Sequence, residues 1–143
     1  MNQVNHVGLT VRDLERSVAF YRDVVGFDVR VERVRSGGEW FDTLTGNSGA
    51  VLDVAMLSDG DFCLQLVQYR EGGEPHAITG HHRVGNVHLS LDVADVETKR
   101  DEMIAAGVHD VTPIVALPVP GMRSFYVHDP DGIPVEFIEG APG

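Results

Sequence analysis

The chain repeats itself, and a repeat limits the possible folds more than any local pattern does. "HVGLTVRDLE", from His6, aligns with "HLSLDVADVE", from His88. Histidine meets histidine, Leu9 meets Leu91, Val11 meets Val93, Asp13 meets Asp95 and Glu15 meets Glu97. Each copy then runs through a helical stretch to a glycine, "GFDV" from Gly26 and "GVHDV" from Gly107. The endings also match: "DGDFCLQLVQY" from Asp59 and "DGIPVEFIEG" from Asp131 each read as a turn followed by a strand. His6 and His88 stand 82 residues apart (88 − 6), but Gln65 and Glu136 stand 71 apart (136 − 65), so the second copy is shorter in its middle.

Both copies follow one grammar. A strand comes first, over 4–11 and 86–93, with period-2 alternation. In the second copy Val87, Leu89, Leu91 and Val93 share one face, and Asn86, His88, Ser90 and Asp92 the other. A helix follows, with Asp13 and Asp95 placed to cap it, since a short carboxylate accepts the unpaired amides of a first turn. Leu14, Val18, Tyr21 and Val25 form one apolar stripe in the first helix. Val96, Met103 and Ile104 are apolar in the second, but Lys99 and Arg100 interrupt it. Gly26 and Gly107 are natural stops. Three strands complete each copy, over 27–35, 50–58 and 61–69, then over 111–117, 123–129 and 134–139. "SDGD" and "DPDG" read as tight turns, and the latter lacks the further acidic ligands of a calcium loop. The expectation is α+β: a single domain over 1–143 made of two βαβββ modules, 1–70 and 84–140, joined by a connector over 71–83.

Composition removes several functions. The chain is 43% hydrophobic and 23% charged, which suits a globular core and not disorder. A net charge of −11 argues against a nucleic-acid backbone or an anionic membrane as partner. The one cysteine, Cys63, excludes a disulfide framework within the chain and fits a reducing compartment. With no secretory leader pattern and no apolar run long enough to span a bilayer, a cytoplasmic protein acting on a small molecule is expected.

No nucleophile elbow, Walker loop, dinucleotide fingerprint or C-x-x-C pair is present. Imidazoles, an amide and carboxylates remain. Gln65 shares a strand face with Cys63 and Val67, and Glu136 with Pro134 and Ile138. Taken singly, each reads as an ordinary core or surface residue. The repeat changes that reading, because it puts His6 and His88 at one equivalent position and Gln65 and Glu136 at another. A pseudo-twofold relating the copies would gather two imidazoles, one amide oxygen and one carboxylate. Such a mixed N/O set suits zinc, nickel, cobalt, manganese or iron(II) and leaves coordination positions open. "GEWFDTLTGNSGA", from Gly38, reads as a loop whose Trp40 and Phe41 are candidates for a substrate-pocket wall. Its Glu39 is a candidate proton acceptor, with an exposed loop glutamate as the plain alternative. His81 and His82 read as exposed connector residues, and His76, His109 and His128 need no function.

The stretches "NHVGLTVRDLERSVAFYRDVVGFDV", "NVHLSLDV" and "DPDGIPVEFIE" resemble the vicinal oxygen chelate superfamily over nearly the whole chain. That superfamily includes glyoxalase I, methylmalonyl-CoA epimerase, extradiol dioxygenases and fosfomycin and bleomycin resistance proteins. The resemblance implies paired βαβββ modules forming a cupped mixed sheet, with helices on the outer face and a metal inside. By motif position it makes His6, Gln65, His88 and Glu136 the ligands of one divalent metal (Co, Ni, Zn, Mn or Fe(II)), with Glu136 a catalytic carboxylate; an epimerase also needs a proton acceptor near the metal, for which the loop residue Glu39 is the candidate. It also implies a homodimer. The His/Gln/His/Glu set looks most like an epimerase, because bacterial glyoxalases usually carry Glu at the position of Gln65. The implied activity is proton transfer, as an isomerase, epimerase or glyoxalase-like lyase acting through a metal-stabilised enolate. Gln65 favours this class, since a neutral amide leaves more positive charge on the metal for an anionic enolate. Two alternatives stand beside it: an Fe(II) extradiol-type dioxygenase using His6, His88 and Glu136, and a small-molecule-binding resistance protein without turnover.

Overall fold

The computed structural model describes residues 1–74 and 80–141. Its first strand is β1, Val7–Thr10. Asp13 follows and accepts the Arg16 amide at 3.1 Å, starting α1 over Leu14–Ala19, which continues as π-helical turns over Phe20–Val25. The Tyr21 carbonyl then accepts from both Gly26 N–H (3.0 Å) and Phe27 N–H (2.8 Å). Gly26 adopts φ 102°, a left-handed value that costs glycine no Cβ clash, and the helix stops there. β2 (Asp28–Gly37), α2 (Glu39–Thr45), β3 (Val51–Asp59) and β4 (Phe62–Glu71) complete the first half. The second half holds β5 (Leu89–Asp92), α3 (Val96–Ala105), β6 (Val115–Ala116), β7 (Arg123–His128) and β8 (Pro134–Glu139).

The chain divides into two compact units, Met1–Ala77 and Ile78–Gly143. Each is built on its own four-stranded mixed sheet, ordered β1-β4-β3-β2 in the first and β5-β8-β7-β6 in the second. The first strand of each unit lies parallel to the last, and the other pairs are antiparallel. The two sheets thus share one topology, as the sequence repeat requires. Residues 75–79 of the expected connector, His76 among them, lie outside the described residues. Among the described residues no helix is long and apolar enough to cross a membrane.

In the first unit one sheet face carries Leu9, Leu64, Leu66, Ala55 and Leu57, all buried, and the stripe of Leu14, Val18, Tyr21 and Val25 is buried with them. Tyr21 is fully buried and meets Phe20 and Phe27 at ring separations of 5.1 and 6.0 Å. In the second unit Val96 and Met103 of α3 are buried with Leu89, Val127, Val135 and the stacked rings of Phe125 and Phe137. The cations that interrupt this helix have local partners. Lys99 Nζ lies 5.6 Å from the Phe137 ring centroid, and Arg100 Nε donates to the Thr112 carbonyl at 2.8 Å. Ile104, the third apolar residue of this helix, is exposed.

Three elements depart from the sequence reading. Gly38–Ala50 is not all loop, because Glu39–Thr45 is helical between glycines at φ 105° and 71°. β6 is two residues long, not the expected seven over 111–117; Pro113, Pro118 and Pro120 around it have no N–H to give an edge ladder. β2 carries register shifts between Val29 and Val31 and between Val31 and Val34, so Val31, Val34 and Ser36 come to pair on one side of the sheet.

Candidate functional site

Residues directly opposite one another on neighbouring strands share a face. In the first unit this rule aligns Gly8, Gln65, Met56 and Val31 in one row, and Thr10, Val67, Val54 and Val34 in the next. These rows lie on the side away from the Leu64–Leu66 core. Together with α2 they line a half-open cavity of about 670 Å³, within the range of small-molecule sites. Phe41 is buried and packs on Leu52 and Tyr69, which places the helix over this face. Trp40 and Phe41 both line the cavity, as do Leu44 and Thr45. Glu39, at the helix start, is exposed and is not among the lining residues.

His6 and Gln65 stand at one end of this cavity. A Cβ on Gly8 would meet Gln65 Oε1 at 3.4 Å, so the amide lies over β1. His6 precedes the strand and is exposed, with Nδ1 2.7 Å from Asn5 Oδ1. An amide oxygen only accepts, so Nδ1 is the donor in this bond. A metal-ligating imidazole commonly donates its other ring N–H in this way.

Three arginines of this unit, Arg33, Arg35 and Arg70, are turned to the other side. Asp53 is fully buried between cavity-facing Leu52 and Val54, and therefore points the opposite way. It accepts from Arg35 and Arg70 and has Arg33 Nε at 3.4 Å. The Arg35 hydrogen bond, then that of Arg70 and the two positive charges, holds its carboxyl below the usual carboxylate range against the opposing effect of burial.

In the second unit the equivalent row is Ser90, Glu136 and Tyr126. His88 precedes β5 by one residue and Ser90 by two, as His6 precedes β1 and Gly8. Its ring lies 6.0 Å from that of Tyr126. Burial first, then the charge of Glu136 and a hydrogen bond to it, pushes the Tyr126 phenol up, so the hydroxyl stays protonated and donates to the carboxylate. Thr112 anchors this tyrosine: its Oγ1 accepts the Tyr126 amide at 2.8 Å, and its N–H donates to the Tyr126 carbonyl at 3.0 Å. His81 meets the Tyr126 ring edge-on at 4.8 Å and lies 6.2 Å from His128. His128 Nδ1 is buried with no hydrogen-bond partner among the described residues.

Each unit therefore brings one histidine and one oxygen-donor side chain, Gln65 or Glu136, to matching positions. Sequence reasoning did not find Tyr126, and it gave His81 and His128 no role. The repeat carried a signal for the tyrosine: Tyr126 matches Met56, the cross-strand neighbour of Gln65. Asp95, Glu97 and Glu139 also bring carboxylate oxygens close together. That cluster is structural. Arg123 bridges Glu97 and Glu139, while Glu139 accepts the Val96 amide at 2.8 Å and Asp95 the Thr98 amide at 2.8 Å, both capping α3.

Residues 3–137 match the Glyoxalase/Bleomycin resistance protein/Dioxygenase superfamily. A 2-epi-5-epi-valiolone epimerase from an Actinomyces species is 31% identical, over 97% of this chain and 81% of its own length. A lactoylglutathione lyase from Haemophilus influenzae is 31% identical, over 96% of this chain and 92% of its own. The crystal structure of a fosfomycin resistance protein, FosX, from Listeria monocytogenes, complexed with Mn(II) and sulfate, is similar in fold at 17% identity, with a TM-score of 0.64 over 99% of this chain and 94% of that one. One matched half of this pattern would be a motif; the match spans both units and nearly the whole chain, which belongs to the glyoxalase/bleomycin resistance protein/dioxygenase superfamily.

Proposed function

We propose that the chain is a metal-dependent proton-transfer enzyme, an isomerase or epimerase or a glyoxalase-like lyase, with His6, Gln65, His88 and Glu136 holding one divalent metal. The observation that carries this reading is the equivalence of the two rows: a histidine two residues before the row on the first strand, and an oxygen donor at its centre on the last. The donors suit the metal. His6 offers an imidazole nitrogen, Gln65 a neutral oxygen and Glu136 a carboxylate. Relatives with epimerase and lyase activities at about one-third identity support the reaction class. When bound, the metal supplies Lewis acidity to a carbonyl-bearing substrate.

The chain's own groups do the rest. Glu136 is the proton acceptor, because it is the carboxylate in the donor row and the Tyr126 hydroxyl holds one of its oxygens. Glu39 stays outside the cavity lining and is the weaker candidate for that role. Trp40 and Phe41 give the apolar end its aromatic wall.

The test is elemental analysis of untagged protein purified without chelator, beside His88→Ala and Glu39→Gln. The expected result is about one equivalent of cobalt, nickel, manganese or zinc, lost in His88→Ala and kept in Glu39→Gln, with substrate-proton exchange into deuterated water in the wild type. Absence of metal after reconstitution with each ion would refute the reading. Iron with oxygen consumption would replace it with dioxygenation.

A further inference from the structure

We infer that the cavity of the first unit receives an uncharged, largely apolar, ring-sized part of the substrate and rejects anionic groups. That the occupant is a substrate rests on the proposed function; the charge preference rests on the cavity alone. Among the described residues no aspartate, glutamate, lysine or arginine lines this cavity. Its walls are aliphatic and aromatic, and its polar groups are hydroxyls, the Gln65 amide and the His6 imidazole.

The absence of cations follows from how the strands place their side chains. β2 contains Arg30, Arg33 and Arg35, yet its cavity-lining residues are Val31, Val34 and Ser36. Arg33 and Arg35 are turned to Asp53 on the opposite face, with Arg70 of β4 beside them. Arg30 is on the cavity face but held one row beyond the lining, where its Nε donates to Ser58 Oγ at 2.7 Å. A carboxylate, phosphate or sulfonate against this wall would give up water and meet no lysine or arginine among the described residues, whereas a neutral ring would lose nothing comparable. The aromatic groups provide the complementary surface. Trp40 and Phe41 meet edge to face at 5.6 Å, and Tyr69 lies 6.2 Å beyond Phe41.

The chain's one tryptophan, Trp40, reports on this cavity directly. The probes are 4-fluoroacetophenone and 4-fluorobenzoate, which share a ring and differ in charge. Both are titrated into full-length, chelator-dialysed protein at pH 7, so that no metal can attract the carboxylate. Binding is read from fluorine line width and from the Trp40 indole N–H resonance. The ketone is expected to bind at least about tenfold more tightly, and to shift the indole signal, because only the anion must give up hydration. Val34→Lys, at an exposed position on the rim, is expected to reduce that ratio several-fold. Equal affinities, tighter benzoate, no binding of either probe (as when a second copy covers the face), or a ratio unmoved by Val34→Lys each overturns the inference. Metal content, measured separately, keeps the two proposals apart: protein that holds no metal yet prefers the ketone loses only the metal reading, and metal-bearing protein with no preference loses only this one.

Discussion

Replacing Asp53 with asparagine tests the charge sorting on which the cavity depends. The side chain keeps its shape and loses its charge. In the wild type the carboxylate is fully buried and takes two charge-assisted hydrogen bonds, from Arg35 and Arg70, with Arg33 further away. Removing one partner of a buried ion pair costs about 3–5 kcal/mol when the other is trapped out of water. Here the arginine side chains are 63%, 36% and 47% exposed for Arg35, Arg70 and Arg33, so they regain hydration and the cost falls. What remains is the difference between charge-assisted and neutral hydrogen bonds, about 1 kcal/mol for each of the two, or about 2 kcal/mol in total. For a chain of this size that is a fall in Tm of about 6 °C.

The pH dependence supplies the refutation. Asp53 titrates lower in the folded chain than in the unfolded one, where an aspartate has a pKa of about 3.9. Its contribution is therefore fully present above that value and is lost as pH falls through the lower folded value. Urea unfolding of wild type and Asp53→Asn at pH 7, 4 and 3 should show the full gap at pH 7 and a shrinking one in acid. A gap that stays constant to pH 3, or is below about 0.5 kcal/mol at pH 7, would refute the electrostatic account. Binding of 4-fluoroacetophenone should be unchanged, since Asp53 faces away from the cavity.

Tyr126→Phe keeps the ring contacts with His81 and His88 and removes the hydrogen bond to Glu136. Chelator competition should show metal affinity about tenfold weaker with stability nearly unchanged, as for other groups that orient a ligand; undiminished affinity would deny Tyr126 this positioning role. Asp95→Ala removes the bond to the Thr98 amide and should lower stability by about 1 kcal/mol at pH 7. Because that amide holds the Asp95 carboxyl below its ordinary range, the deficit should narrow in acid, and thermal melts at pH 7 and 3 check it.

Much of the fold was legible because it is local or repeated. Asp13 and Asp95 cap helices where the sequence puts a short carboxylate before an apolar stripe, and Pro134–Glu139 forms a strand with the expected bounds. What escaped was short or non-local. α2 is a seven-residue segment flanked by glycines, and its helicity depends on Phe41 packing on Leu52 and Tyr69, contacts no local pattern reveals. The β2 register shifts break simple alternation, so the sequence alone did not separate Val31 and Val34 from Arg33 and Arg35. Asp53 did leave a trace, as one acid within the apolar run "AVLDVAML", but its arginines come from two other strands.

The candidate site shows what duplication permits. One topology places one row on each sheet, and the rows have diverged in opposite senses. Gly8, Gln65 and Met56 are neutral, and they open onto an apolar cavity. Ser90, Glu136 and Tyr126 are polar and sit among His81, His88 and His128. Under the proposed reading the first unit holds the inert part of a substrate and the second moves its proton. Of the three positions that differ, only the one on the last strand changes charge, amide for carboxylate. A carboxylate at position 65 would put a charge at the end of the apolar cavity, where desolvation opposes it. A neutral amide keeps an oxygen donor there at less cost, and leaves Glu136 as the one carboxylate in the two rows able to accept a proton.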